Sequence, residues 1–118
     1  MRISKTMRIE CAHFLPGYNG KCADLHGHSY IIRLSIQGAM RNDGMVMDFS
    51  KLKDIMESVA GRFDHKMLND YMDNPTVEEF ALLMMSEFVQ LIHTPKKYIK
   101  LRIWETADSF VEVFGDEV

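Results

Sequence analysis

Two stretches of strict alternation constrain this chain more than any other feature. In residues 2–15, Ile3, Met7, Ile9, Cys11, His13 and Leu15 share one face, while Arg2, Ser4, Thr6, Arg8 and Glu10 share the other. A period of two marks a half-buried strand, because successive side chains of extended chain point to opposite faces. The alternation returns in residues 28–37, with His28, Tyr30, Ile32, Leu34 and Ile36 in phase. Turn residues, "PGYNGK", lie between the two stretches, and "RNDG" closes the second. A short connection of this kind makes the two strands antiparallel neighbours.

From Phe49 the period changes. Phe49, Leu52, Met56, Val59 and Phe63 form a helical stripe, with Asp48 or Ser50 as its cap. "HKMLNDYMDNPT" reads as a loop. A second helix starts after Thr76, where "TVEE" matches a capping box of Thr76 with Glu79. Its stripe is Val77, Phe80, Ala81, Met84, Phe88 and Leu91, and "HTPKK", with His93, ends it. Residues 98–105 alternate again, with Ile99, Leu101, Ile103 and Glu105 in phase, and 109–114 form a last short strand. The expected fold is α+β, in the order strand, strand, helix, helix, strand, strand. It is a four-stranded antiparallel sheet with two helices on one face.

The 118 residues fit one domain, 1–118, with 47% apolar and 26% charged residues as in ordinary soluble proteins. Net charge is −3 without a basic run, so the footprint of nucleic-acid binding is missing. No stretch approaches the roughly 20 apolar residues of a membrane span, and "MRISKTMRIE" is too polar for a signal-peptide core. A cytoplasmic protein, with no nucleic-acid or membrane partner, is expected. Ten methionines and seven phenylalanines suit either a Met-rich core or a subunit interface. Cys11 shares an apolar phase and reads as core; Cys22 reads as a free thiol in a loop.

"CADLHGHSY" carries the chemistry. His26 and His28, two apart in extended chain, point the same way. His13, near the end of the first strand, meets them if the strands pair antiparallel. Three imidazoles and an open fourth position describe a catalytic Zn2+ site; Cys22 as a fourth ligand would make it structural. Gly27 would let the backbone pass close to the metal. Asp64 directly precedes His65, a pairing that can orient and charge-stabilise an imidazole, or one in which Asp64 caps a turn and His65 is a surface residue. Glu105 needs a partner: either a planar N–H donor edge such as a pterin's, or a neighbouring Arg or Lys.

Taken together, "CAHFL", "KCADLHGHSY", "GMVMDFSKLK", "FDHKMLND", "NPTVEEF" and "WETADS" resemble, in order, the blocks of the 6-pyruvoyl-tetrahydropterin synthase family. The three residues between Cys22 and His26 resemble the branch that makes 6-carboxy-5,6,7,8-tetrahydropterin for 7-deazaguanine (queuosine) biosynthesis. The pyruvoyl branch typically has a longer segment there, and a folate-linked branch a glutamate. "FDH" departs from the commoner Leu-Asp-His, and Glu79 stands where Asn is common. The resemblance implies a tunnelling fold, assembled as a homohexamer of two trimers with active sites between subunits. It implies zinc on His13, His26 and His28, with Cys22, Asp64 and His65 as the proton-transfer set. It also implies Glu105 as the pterin anchor, with Thr76 and Glu78 bordering the pocket. The implied substrate is 7,8-dihydroneopterin triphosphate, split to the carboxypterin, acetaldehyde and triphosphate. Lys21 and Lys66 are candidate triphosphate contacts, or simply solvated lysines.

Overall fold

A computed structural model describes residues 1–118. The protein forms β1 (Arg2–His13), β2 (His26–Gln37), α1 (Phe49–Val59), β3 (Lys66–Met67), α2 (Val77–Leu91), β4 (Ile99–Trp104) and β5 (Phe110–Phe114). One sheet takes the order β3-β1-β2-β4-β5. The pairs β1–β2, β2–β4 and β4–β5 are antiparallel.

The β1–β2 hairpin runs in unbroken register from Arg2 opposite Gln37 to His13 opposite His26. Twelve pairs extend about 40 Å, which accounts for the 53 Å long axis of the molecule. Ile9, Cys11, Tyr30, Ile32, Leu34 and Ile36 bury one face of this hairpin, as their phase requires. Both helices pack on that face: α1 meets β1, and α2 meets β4 and β5. Phe80 of α2 sits at the centre, fully buried, edge-on to Tyr30 (5.6 Å between ring centroids) and Phe63 (5.1 Å).

The helices start where their caps dictate. The Asp48 carboxylate accepts the Ser50 N–H at 2.8 Å, and the Thr76 hydroxyl accepts the Glu79 N–H at 3.2 Å. Only half of the expected capping box forms, because the Thr76 N–H donates to the Asn74 carbonyl (2.8 Å) instead of to Glu79. On α2, Met85 joins the buried stripe, while Leu91, at the helix end, stays 44% exposed.

The expected four-stranded sheet is corrected to five. After α1 and a short 3-10 turn (Ala60–Phe63), Lys66 and Met67 run parallel to β1, opposite Cys11 and Ala12. Asn69 continues the contact: its side chain accepts the Phe14 N–H (3.0 Å) and donates to the Phe14 carbonyl (2.9 Å). β3 covers only this corner, so most of the outer edge of β1 and that of β5 have no strand partner. No helix is long and apolar enough to cross a membrane.

Candidate metal centre and active site

The hairpin register assembles the histidines. His13 pairs directly with His26, and Cys11 with His28, so His13, His26 and His28 share one end and one face of the β1–β2 pair. Their ring centroids lie 4.5–5.0 Å apart, and one nitrogen from each falls within 4.8 Å of the others. His13 Nδ1 lies 2.7 Å from the Pro75 carbonyl, and His26 Nδ1 lies 2.7 Å from the Asp24 carbonyl. A carbonyl accepts only, so each Nδ1 carries the proton and each Nε2 presents a lone pair. Those two Nε2 atoms face each other at 3.0 Å. Two facing lone pairs repel, and a cation shared between them would relieve that repulsion; nitrogens sharing a tetrahedral zinc stand roughly 3.3 Å apart. The third Nε2, of His28, is buried without any hydrogen-bond partner, a rare state for a polar atom. Burial also holds His28 below the usual imidazole range, with Glu105 opposing and the neighbouring His13 and His26 reinforcing that shift. Neutral imidazole is the metal-binding form. The donor set therefore fits a divalent metal.

Cys22 lies outside this donor group. It is a half-buried free thiol on a 3-10 turn, Lys21–Ala23. A Cβ at Gly27 would meet, within the chain, only the Cys11 carbonyl at an ordinary 3.5 Å.

Asp64 and His65 do form a pair: His65 Nδ1 stands 3.1 Å from Asp64 Oδ1. Adjacent residues can meet in this way because His65 takes a left-handed backbone (φ 60°), which costs a non-glycine residue about 1–2 kcal/mol. β1 compensates with two bonds from one residue. The Glu10 N–H donates to Asp64 Oδ1 (2.9 Å), and the Glu10 carbonyl accepts the His65 N–H (2.6 Å). The Glu10 amide holds the Asp64 carboxyl below its ordinary range; burial opposes this and His65 adds to it. Cys11 is buried as expected, its thiol donating to the Phe63 carbonyl at 3.1 Å.

Three adjoining clefts link the remaining residues. His65 and Lys66 line one together with His28. His28 and Glu105 line a second. Glu105 also lines a third with Cys22, Thr76 and Glu78. Glu105 is half-buried, just past β4, and enters no ion pair, so the neighbouring Arg or Lys that would neutralise it is absent. Lys21 lines none of these clefts. The two backbone carbonyls of Asp24 and Pro75 and the Arg8–Glu10–Ser29 network on the outward face were not anticipated. Carbonyl contacts leave no mark on a side-chain pattern, but Arg8 and Glu10 do share the outward phase of β1.

A single sheet with two helices on one face and an imidazole triad at the end of its long hairpin defines a tunnelling-fold domain with a candidate metal centre. A family model described as 6-pyruvoyl tetrahydropterin synthase matches residues 2–116. The protein belongs to that family, whose members are lyases. A Haemophilus influenzae relative named 6-carboxy-5,6,7,8-tetrahydropterin synthase is 32% identical over 139 aligned residues, covering 94% of this chain and 96% of its own. An Archaeoglobus fulgidus protein given the same name with a provisional qualifier is 34% identical over 113 residues, covering 96% and 95%. A Pyrococcus furiosus protein named dihydroneopterin monophosphate aldolase is 36% identical over 90 residues, covering 76% and 78%. In fold, the protein matches the structure of Caenorhabditis elegans 6-pyruvoyl tetrahydropterin synthase with a TM-score of 0.85 at 24% identity, covering 97% of this chain and 94% of that one.

Proposed function

We propose that the protein is a zinc-dependent lyase converting 7,8-dihydroneopterin triphosphate, with water, to 6-carboxy-5,6,7,8-tetrahydropterin, acetaldehyde and triphosphate in queuosine (7-deazaguanine) biosynthesis. The observation that carries this reading is the three-imidazole donor set beside an unpaired Glu105 carboxylate. Two relatives bearing the carboxypterin name, matched along nearly the whole sequence, support it.

Zinc on His13, His26 and His28 would supply a Lewis acid that makes the C–H and O–H protons of the substrate's tail easier to remove. The protein's own groups do the rest. Glu105 accepts two parallel N–H bonds from the aminopyrimidine edge of the pterin, the strongest arrangement open to a lone carboxylate. Thr76 and Glu78 border the ring from the start of α2. Cys22 takes and returns a proton on the substrate's tail. Asp64 holds His65 by Nδ1, which leaves His65 Nε2 to exchange a second proton with a hydroxyl. A cytoplasmic homohexamer of two trimers would cover the free edges of β1 and β5, which otherwise invite pairing.

Aldol cleavage of dihydroneopterin monophosphate is a second reading. It is favoured by the Pyrococcus relative, whose 36% identity exceeds that of the two carboxypterin relatives. Incubating zinc-loaded protein separately with the triphosphate and the monophosphate, with product masses recorded, tests both. Acetaldehyde with a 6-carboxylate supports the first reading. A 6-hydroxymethyl product from the monophosphate supports the second, and a diketo side chain would identify the 6-pyruvoyl reaction instead.

A further inference from the structure

The loop between β1 and β2 closes on itself. Its neck is the bond from the Leu15 N–H to the Cys22 carbonyl (2.9 Å). Inside it, the Tyr18 N–H donates to the Leu15 carbonyl at 3.2 Å across Pro16 and Gly17, and Gly17 takes a left-handed backbone (φ 77°). Proline followed by glycine is what a type II turn prefers at its two central positions. The sequence thus sets a sharp corner, and Tyr18 follows it on the same short loop as Cys22.

Gly20 has a different reason to be glycine. Its backbone is extended (φ 176°), a conformation open to any residue. A Cβ there, however, would stand 2.7 Å from Tyr18 Cε1, well inside the roughly 3.5–4.0 Å of ordinary carbon contact. The missing side chain makes room for the Tyr18 ring, which folds back along its own loop yet stays 54% exposed. That ring lines the cleft of about 430 Å³ shared by Cys22, Glu105 and the start of α2. Phe110 borders the same cleft, but Arg102 (4.3 Å) and Trp104 (5.7 Å) already engage its ring. No ring or cation stacks on Tyr18. A free aromatic face beside a carboxylate suits a flat heterocycle, the first taking the ring face and the second its N–H edge.

We propose that Tyr18 is a ring-binding residue: its face covers one side of a planar heterocycle whose donor edge rests on Glu105, and Gly20 is glycine to give it room. Resting on the pterin reading above, that heterocycle is the bicyclic ring of the substrate. Tyr18 and Cys22 belong to one loop with a hydrogen-bonded neck, so seating the ring on Tyr18 also sets where it stands relative to the thiol.

Calorimetry on the zinc-loaded full-length protein tests this, with unphosphorylated dihydroneopterin and guanosine as separate probes, since both carry the same aminopyrimidinone edge. Tyr18→Leu keeps the bulk and loses the π face. It is expected to weaken dihydroneopterin binding by at least about fivefold, the lower end of stacking on an aromatic side chain, with zinc content unchanged. Tyr18→Phe should restore the wild-type affinity. Gly20→Ala displaces the ring and should give the loss seen in Tyr18→Leu, and the double variant should lose no more than either alone. Equal affinity in wild type and Tyr18→Leu, an equal loss in Tyr18→Phe, or a Gly20→Ala variant that binds normally or adds to the loss, overturns the proposal. If the wild type ignores dihydroneopterin yet binds guanosine through Tyr18, the pterin reading fails and the ring-binding role stands; if it binds neither, both fail.

Discussion

Replacing His28 by leucine separates metal binding from folding. In the metal-free protein, His28 Nε2 is buried and unpaired, a state that costs about 1–3 kcal/mol. Leucine removes that atom and keeps the bulk. It also loses edge contacts to His13 (5.0 Å), His26 (4.8 Å) and Tyr30 (5.5 Å), each worth about 0.5–1.5 kcal/mol. The two effects nearly cancel, so the metal-free variant should match the wild type within about 1 kcal/mol. The metal-loaded proteins should differ greatly. Zinc buffered at a hundred times its Kd stabilises the wild type by about 2.7 kcal/mol. Unfolding 118 residues carries an entropy of about 0.25 kcal/mol/K, so the midpoint should rise by about 11 °C. In His28→Leu that rise should shrink to near zero at the same zinc concentration. Differential scanning calorimetry of both proteins, with and without buffered zinc, reads all four midpoints. A full zinc-induced rise in the variant, or a metal-free variant more than about 3 kcal/mol less stable, would show His28 to be a packing residue and refute the ligand argument.

Four further outcomes follow from the same geometry. Cys22→Ala should lose turnover of dihydroneopterin triphosphate by at least a hundredfold with zinc content unchanged by atomic absorption; full turnover would remove the thiol from the reaction. Glu105→Gln should weaken dihydroneopterin binding at least tenfold while folding stability changes by no more than about 0.5 kcal/mol, because no ion pair is lost; an unchanged Kd would contradict the anchor role. Burial pushes the Cys11 thiol up from 9.0 to about 12, so folding favours the neutral thiol. Its contribution is complete below pH 9 and is lost as pH rises from there toward 12, and the wild-type midpoint should fall more steeply than that of Cys11→Ala in that window; parallel curves would count against it. Thr76→Ala removes the α2 cap and should cost about 1 kcal/mol, read by urea unfolding; no change would mean that the Glu79 N–H finds another acceptor.

The imidazole cluster was legible because it follows from strand phase alone. His13, His26 and His28 each continue an apolar alternation, and one antiparallel register brings all three together. The Asp64–His65 contact was harder to read, since it depends on a left-handed backbone at a residue whose type does not announce it. β3 left no periodic signal at all: two residues cannot alternate, and they become a strand only because the segment leaving α1 passes the edge of β1. Met85 was missed and Leu91 over-read for a common reason. The buried face of α2 is wider than a single stripe near its middle and runs out at its end.

Glu10 and His13 sit three positions apart on one rod of extended backbone; Glu10 holds Asp64 and His65, and His13 belongs to the imidazole cluster. Bending or sliding that rod carries the His65 imidazole and the histidine cluster together, so the gap between them survives the flexing of a long, thin hairpin. The spacing between the Asp64–His65 pair and the imidazole cluster is thereby inherited from a single peptide segment.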